Sequence, residues 1–456
     1  MPDFDDLLDA CAALRVADLR EAVVDAARRL VADSLICAHA GAPLARSRMQ
    51  RAALADTGAQ APVIGAGIRA GAAAAAWLNA EAMNLLDADD TFYNGGHFGA
   101  LHTAVALAAA ARRAAPWERV LAGVIAGFEL NARLHLATSA EPGCYGAGAT
   151  MPGAALTAAI VAGLPRERIG HAIGVALRLA PTPVPLAVAC GELGSMKYVP
   201  YGAIAAQALL AADLAGLGYQ GDHRFLDADG GFLAMQGATA VDADILGRDP
   251  GGHWWITETS LKPYPSFRLG HSTLGALGAA LAQRPVAPAE IESITAWIDP
   301  RARLLPFIDA VPDRFAPDHL APIRGQMHLR YCMALVALGV PPGPRWYAAD
   351  TLADPAVWAL VGRIALAPKP ACDLTRLAVD ADPLCGRTRA CIARVRVRAS
   401  GRTAEAEAVR CDGDPWHRDT RPDWDWIARK CRAFGVDAAL ADRVRGLAPD
   451  AVDAFD

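Results

Sequence analysis

The stretch LKPYPSFRLGH, residues 261–271, divides the chain into two textures. Before it, to about residue 260, Ala, Leu and Val recur at helical spacing, as in Leu19 to Leu35, Val105 to Leu136, Ala154 to Val161 and Ala203 to Leu217. Apolar residues repeating every three to four positions form one helix face, and small alanine side chains let helix axes approach closely. This part therefore predicts a tightly packed, nearly all-helical bundle. After the divide, IESITAWID (291–299) and CIARVRVRASGRTAEAEAVRC (391–411) alternate as strands do, the second as a hairpin turning at Ser400 and Gly401. An apolar helix, Tyr331 to Leu338, lies between them, and helical patterning returns after about residue 415 in DWDWIARKCRAF. The expected fold is mainly α with an inserted α+β domain. A large all-helical domain spans 1–265 and is completed by 415–456, and a smaller α/β lid domain spans 266–414.

A chain of 456 residues is long enough for two cores. Its formal net charge of -5 provides no overall basic field, which argues against nucleic acid and against an anionic membrane as partners. Apolar runs such as Ala72 to Trp77 and Ala104 to Ala111 are too short to span a bilayer and read as buried helices. The opening MPDFDDLLDA is acidic and lacks the basic and apolar regions of a secretory signal, so a cytoplasmic protein is expected. Ten cysteines without a Cys-x-x-Cys pair fit reduced, mostly core positions. Cys144 stands apart because it lies in a Gly-rich loop.

Four segments carry groups that do chemistry. In LLDADDTFYNGGHFGALHTA (85–104), a helix over residues 80–92 sets Asp87 and Thr91 four apart on one face, with Asp90 beside them. Asn94, Gly95 and Gly96 break that helix and bring His97 to the start of the next, where an anion meets free backbone N–H groups. The plain alternative is helix capping and a solvated acidic face. GELGSMKYVPYGAIAAQ (191–207) carries the solitary Lys197, a type of residue that is ordinarily solvated. LKPYPSFRLGH crowds Lys262, Tyr264, Arg268 and His271 around two prolines, a set suited to holding a carboxylate. In GQMHLRYCMALVALG (325–339), Tyr331 begins a buried helix, ordinarily as a core aromatic with a bonded hydroxyl.

Taken in order, these segments resemble the MmgE/PrpD family. The stretch around Asp87 is similar to its Asn-Gly…His-x-Leu-Asp-x-Asp-Asp-Thr…His signature. LGYQGDHRFLDADGGFLAMQG (217–237) is similar to its Gly-Phe-Thr-Gly…Gly-Gly-Phe segment, and KPYPSFRLGH to Lys-x-Tyr-Pro-Ser-Cys…His. QMHLRYCMALVALG is similar to its Gln-Phe-Ser-Leu-Pro-Tyr helix, and DGDPWHR echoes its carboxyl-terminal part. The resemblance implies a large helical domain, a smaller α/β lid and a homodimer. It also implies enzymes such as 2-methylcitrate dehydratase, cis-aconitate decarboxylase and iminodisuccinate epimerase. Carried over residue by residue, it marks Asp87, Thr91, His97, Lys197, Lys262 and Tyr331. There are departures: Asn84 stands for a histidine, Phe98-Gly99 for Pro-Ser, and Pro200 for the histidine that commonly follows the lysine. GCYGAGATMPGAA (143–155) offers Cys144 or Tyr145 where a loop histidine is usual.

The function expected is a cofactor-independent lyase, a dehydratase or decarboxylase working next to a carboxylate of a small di- or tricarboxylate. His97, Asp87, Lys197 and Tyr331 are the catalytic candidates, and Thr91, Lys262, Arg268, Cys144 and Tyr145 the binding candidates; the hinge of the lid is expected near 262–268. An epimerase acting at the Cα of an imino- or amino-dicarboxylate is the alternative, and a non-catalytic carboxylate-binding paralogue a further one. Asp87, Asp90 and His97 also make a thinkable metal set, but no His-x-x-x-His or Cys-rich pattern supports it, and no metal or cofactor is expected. Asp87-Ala88-Asp89-Asp90 matches the Asp-x-Asp-Asp pattern of class II terpene cyclases. Those cavities need aromatic faces for carbocations, and aromatics are only 6% of this chain.

Overall fold

The computed structural model describes the chain except residues 1, 55–57, 94, 141–143, 146, 186–193, 198, 227–230, 303–304, 306–307, 309–313, 368–379 and 453–456. The side chains at 2, 3, 140, 144, 145, 184, 185 and 225 also lie outside the description. The fold is mainly helical, with small sheets. Its first part carries α1 (Pro2–Ala12), α2 (Glu21–Gly41), α3 (Ala45–Leu54), α4 (Ala72–Asn84), α5 (Phe98–Arg113), α6 (Trp117–Ala137), α7 (Met151–Val161), α8 (Arg166–Leu179) and α9 (Tyr201–Gly216).

Small residues bring these helices together as the alanine-rich pattern predicts. α6 crosses α7 at Gly127 and Gly153, where a Cβ on Gly127 would stand 1.9 Å from Thr157 Oγ1 and 2.7 Å from the Gly153 carbonyl. The polar groups at this crossing are paired, as burial requires. Thr157 Oγ1 donates to the Gly123 carbonyl at 3.0 Å, and Asn131 Oδ1 accepts from Gly153 N–H at 3.1 Å. α6 is long and apolar enough to cross a membrane by length and composition, and it is 94% buried over its most apolar window.

The second part holds a four-stranded sheet of β3 (Ile291–Trp297), β4 (Ile364–Leu366), β5 (Ala393–Ala399) and β6 (Arg402–Ala408), in the order β4-β3-β5-β6. β4 runs parallel to β3, and the other pairs are antiparallel. Along β5, Ala393, Val395, Val397 and Ala399 are buried while Arg394, Arg396 and Arg398 face outward, so period two decides the face. Ser400 and Gly401 form the hairpin turn with φ of 50° and 69°, the twist that a two-residue hairpin favours. α10 (His271–Gln283) covers β5 and β6. α11 (Ala321–Met327), α12 (Leu329–Ala337) and α13 (Pro355–Val361) complete this part, with α12 packed on α10, α13 and β4.

Two short strands, β1 (Thr91–Phe92) and β2 (Thr259–Ser260), pair next to the divide. Leu261 N–H donates to the Gly413 carbonyl at 3.0 Å, so the outgoing and returning segments run side by side. Gly413 has φ 91°, and a Cβ there would lie 1.9 Å from the Leu261 carbonyl oxygen. Beyond it, α14 (Trp424–Ala433) and α15 (Ala439–Gly446) pack against α2, with Asp423 capping α14 by accepting from Trp426 N–H at 2.8 Å.

Gly127→Val forces a Cβ and two methyls into the α6–α7 crossing. Overpacking of this kind costs about 1–3 kcal/mol or more, and the thermal midpoint followed by circular dichroism is expected to fall by several degrees. An unchanged midpoint would show that the crossing is looser than described.

Candidate active site

α4 ends at Asn84. Asp87 then adopts φ 52°, a left-handed conformation that costs a non-glycine residue roughly 1 kcal/mol or more. The helix expected over residues 80–92 is therefore corrected: it stops at Asn84, and Thr91 lies in β1 opposite Ser260 rather than on a helix face with Asp87. A continued helix would stack the carboxyls of Asp87 and Asp90 on one side. The observed turn instead sends each carboxyl to its own partners.

Asp87 is the centre. Its Oδ1 accepts from Lys262 Nζ at 3.1 Å and from Lys197 Nζ at 3.4 Å. Lys197, itself at φ 55°, also donates at 2.8 Å to the Asn84 carbonyl at the end of α4, which accepts from Asp87 N–H at 3.1 Å as well. Lys262 Nζ is 4.0 Å from Asp89 Oδ1, and Asn84 Nδ2 donates to Asp89 Oδ2 at 2.9 Å. All of these side chains are buried. Burial opposes ionisation of Asp87, but Lys197 and Lys262 outweigh it and hold the carboxyl well below its usual range. Burial pushes the Lys197 ammonium down, against the pull of Asp87.

His97 precedes α5, as expected, with Nδ1 2.7 Å from the Asp90 carbonyl and 3.8 Å from Asp89 Oδ2. A carbonyl only accepts, so Nδ1 carries the proton and the neutral ring has its lone pair on Nε2. Burial, then Lys262, lowers its pKa and keeps it neutral near pH 7. Asp90 caps α5: Oδ1 accepts from Gly99 N–H at 2.8 Å, and Thr259 Oγ1 donates to Oδ2 at 3.3 Å. A Cβ at Gly99 would approach Asp90 Oδ1 to 2.7 Å. This accounts for the glycine of the Phe98-Gly99 departure. Burial, together with Asp89 and Asp33, pushes the Asp90 carboxyl up to about 8.

A further pair supports the turn from behind. Lys430 of α14 bonds to Asp33 of α2 and donates to the Ala88 carbonyl at 2.6 Å. Asn84, Asp89, Asp33 and Lys430 are thus members of the site that the motif reading did not single out. For Lys430 a signal existed, since Trp426, Ile427, Lys430 and Cys431 form the buried stripe of α14, and a lysine on such a stripe needs a partner.

The other expected residues do not bond to Asp87 among the described contacts. The Arg268 guanidinium bonds to Asp414, whose carboxylate also accepts from Ser260 Oγ at 2.7 Å and Cys411 N–H at 2.8 Å. It braces the returning segment. The Tyr331 hydroxyl donates to the Trp346 carbonyl, and its ring stacks on Tyr347 at 6.3 Å, so it sits in an aromatic layer with burial holding its pKa above the usual value. Thr91 is buried, with its hydroxyl unpartnered among the described residues. The backbones of Cys144 and Tyr145 pair with Val184 and Pro185, but their side chains lie outside the described residues.

Asp87, Asp89 and His97 each offer a ligand atom, all within 4.8 Å of one another. The set differs from the expected metal trio, because Asp90 is turned to Gly99 and Thr259. A divalent ion fits it poorly: the Lys262 ammonium already stands 3.1 Å from Asp87 and 4.0 Å from Asp89, and would repel the ion.

The raised Asp90 pKa makes a stability prediction. A carboxyl raised from 3.8 to about 8 on folding stabilises the protein below pH 3.8, and the contribution is lost as pH rises through about 8. Asp90→Asn keeps the acceptor for Gly99 and cannot ionise. Its thermal midpoint is expected to gain on that of the parent steadily as pH rises across this window; parallel curves would refute the shift.

The MmgE/PrpD N-terminal domain model matches residues 5–240, and the MmgE/PrpD C-terminal domain model matches residues 264–443. No curated protein matches the chain significantly. Asp87, His97 and Lys197 lie in the first matched region, Lys430 in the second, and Lys262 just ahead of the second. With matched regions covering most of its length, the chain belongs to the MmgE/PrpD family.

Proposed function

We propose that this protein is a cofactor-independent lyase, a dehydratase or decarboxylase, acting next to a carboxylate of a small di- or tricarboxylate. Family membership points to a dehydratase-type lyase in general. The observation that carries the finer reading is the convergence of Lys197 and Lys262 on one buried acid beside a neutral histidine. Removing a proton or carbon dioxide next to a carboxylate places charge on carbon, which is accessible only where cations offset the carboxylates and donors take up the enolate charge. Each ammonium has three donor hydrogens, so Lys262 can serve a substrate carboxylate alongside Asp87. For dehydration, His97 takes the proton at Nε2 while Nδ1 stays bonded to the Asp90 carbonyl, and a lysine ammonium protonates the hydroxyl that leaves as water. For decarboxylation, that ammonium instead protonates the carbon from which carbon dioxide departs. Asp87 balances the lysines until substrate arrives. The neutral Asp90 spares the pocket a further negative charge.

The reading also keeps two domains, the sheet-containing part closing as a lid over the helical part with its hinge near 262–268, and it keeps a homodimer in the cytoplasm. Lid closure would exclude water and strengthen each charge interaction. Tyr331 then supports the pocket through the Tyr347 layer rather than by touching substrate.

Proton NMR with 2-methylcitrate, citrate, cis-aconitate and iminodisuccinate in the presence of EDTA tests the proposal. Loss of water or of carbon dioxide from one of the acids is expected, undiminished by the chelator. Exchange or inversion at Cα alone would replace the lyase by the epimerase, and chelator-sensitive turnover would contradict the cofactor-independent reading. On the substrate so identified, His97→Gln is expected to lower kcat by about a hundredfold or more. The acid limb of the parent's kcat/KM profile should fall below pH 6.5, the ordinary value from which His97 is lowered.

A further inference from the structure

A cleft of about 390 Å³ opens where the entry to α2, the segment 253–261 and the returning segment 415–422 meet. Arg20, Arg29, Arg389 and Arg421 line it, and Glu258 is the only carboxyl group among the described lining residues. Glu258 is already engaged, with Oε2 accepting from Trp416 Nε1 at 2.7 Å and standing 3.8 Å from Arg389. Two of the arginines have acids of their own outside the lining: Asp382 holds Arg389 at 2.5 Å, and Asp25 holds Arg29.

Arg20 and Arg421 differ. Both are exposed, and neither forms an ion pair among the described residues; Arg421 Nε donates only to the Pro415 carbonyl, at 2.7 Å. Burial lowers the Arg29 guanidinium from its usual value, and the nearby charge of Arg421 lowers it further. Like charges from separate parts of the chain are thus gathered around one concavity. Guanidinium groups present planar forks of donors that match oxyanions.

We propose that this cleft is a second anion site, distinct from the Asp87 centre, which takes a small oxyanion bearing at least two negative charges between Arg20, Arg29 and Arg421. Phosphate-type groups and di- or tricarboxylates share that chemistry. The site adjoins the centre through one wall, since Thr259 bonds Asp90 and Leu261 precedes Lys262.

Isothermal titration of the full chain with inorganic phosphate and, separately, with citrate, against chloride at matched ionic strength, tests the site. The parent is expected to bind at least one of the two. The doubly substituted Arg20→Ser/Arg421→Ser protein should lose that binding by about tenfold or more, and Arg421→Glu should lose it further. Both positions are exposed, so folding is checked by an unchanged melting curve. Loss of the phosphate isotherm identifies a phosphate-type ligand, and loss of a citrate isotherm a carboxylate. Citrate binding that survives in the variants belongs to the Asp87 centre. Superimposable isotherms for parent and variants, or no binding of either probe to the parent, would overturn the proposal.

Discussion

A single buried carboxylate, Asp87, held between two ammonium groups, is the constraint on which the site depends. Taking such charges out of water costs several kcal/mol per ion unless partners repay it. Asp87, Lys197 and Lys262 must therefore arrive together or not at all. They come from three places, the end of α4, the turn before α9 and the segment leading out of the helical part, with the lysines 110 and 175 positions from the acid. Lys430, 342 positions from Ala88, holds the same turn from the opposite side. Pairing of this kind adds little net stability, but removal of one partner leaves a charge stranded, so it selects one arrangement of the chain over others.

This constraint also explains which features were legible in the sequence. Helical spacing, the outward arginines of β5 and the Ser400-Gly401 turn are local, and local pattern decides them. His97 does stand at the start of α5, although the helix before it stops at Asn84 rather than at the glycines. The segment 85–92 misled for the opposite reason. Its residues are compatible with helix, and only the distant Lys197, Lys262 and Lys430 make the turn at Asp87 worth its left-handed backbone. Tyr331 and Arg268 stand in motif segments, whereas their hydroxyl and guanidinium go to Trp346 and Asp414. Asn84 and Asp89 stand inside the family signature, but nothing local shows that they bond each other.

Electrostatically the centre is a buried cluster of nearly balanced charges. Three ammonium groups, of Lys197, Lys262 and Lys430, face the carboxyl groups of Asp33, Asp87, Asp89 and Asp90 in a buried volume. Asp90 is pushed up to about 8 and stays protonated at neutral pH, so it caps α5 without adding negative charge. Preorganised donors in a water-poor site are worth more than the same donors in water, because they need not reorganise as charge develops. The departures from the family pattern are compatible with this arrangement. Asn84 bonds Asp89 and Gly99 admits the Asp90 cap.

The protonation state of His97 is the most direct test of the site. Nitrogen-15 NMR of the imidazoles at pH 7, with the His97 resonances assigned by their absence from His97→Gln, reads both its charge and its tautomer. The geometry predicts a neutral ring with the proton on Nδ1 and an unprotonated Nε2. A doubly protonated ring, or a proton on Nε2, would contradict the base role proposed for His97.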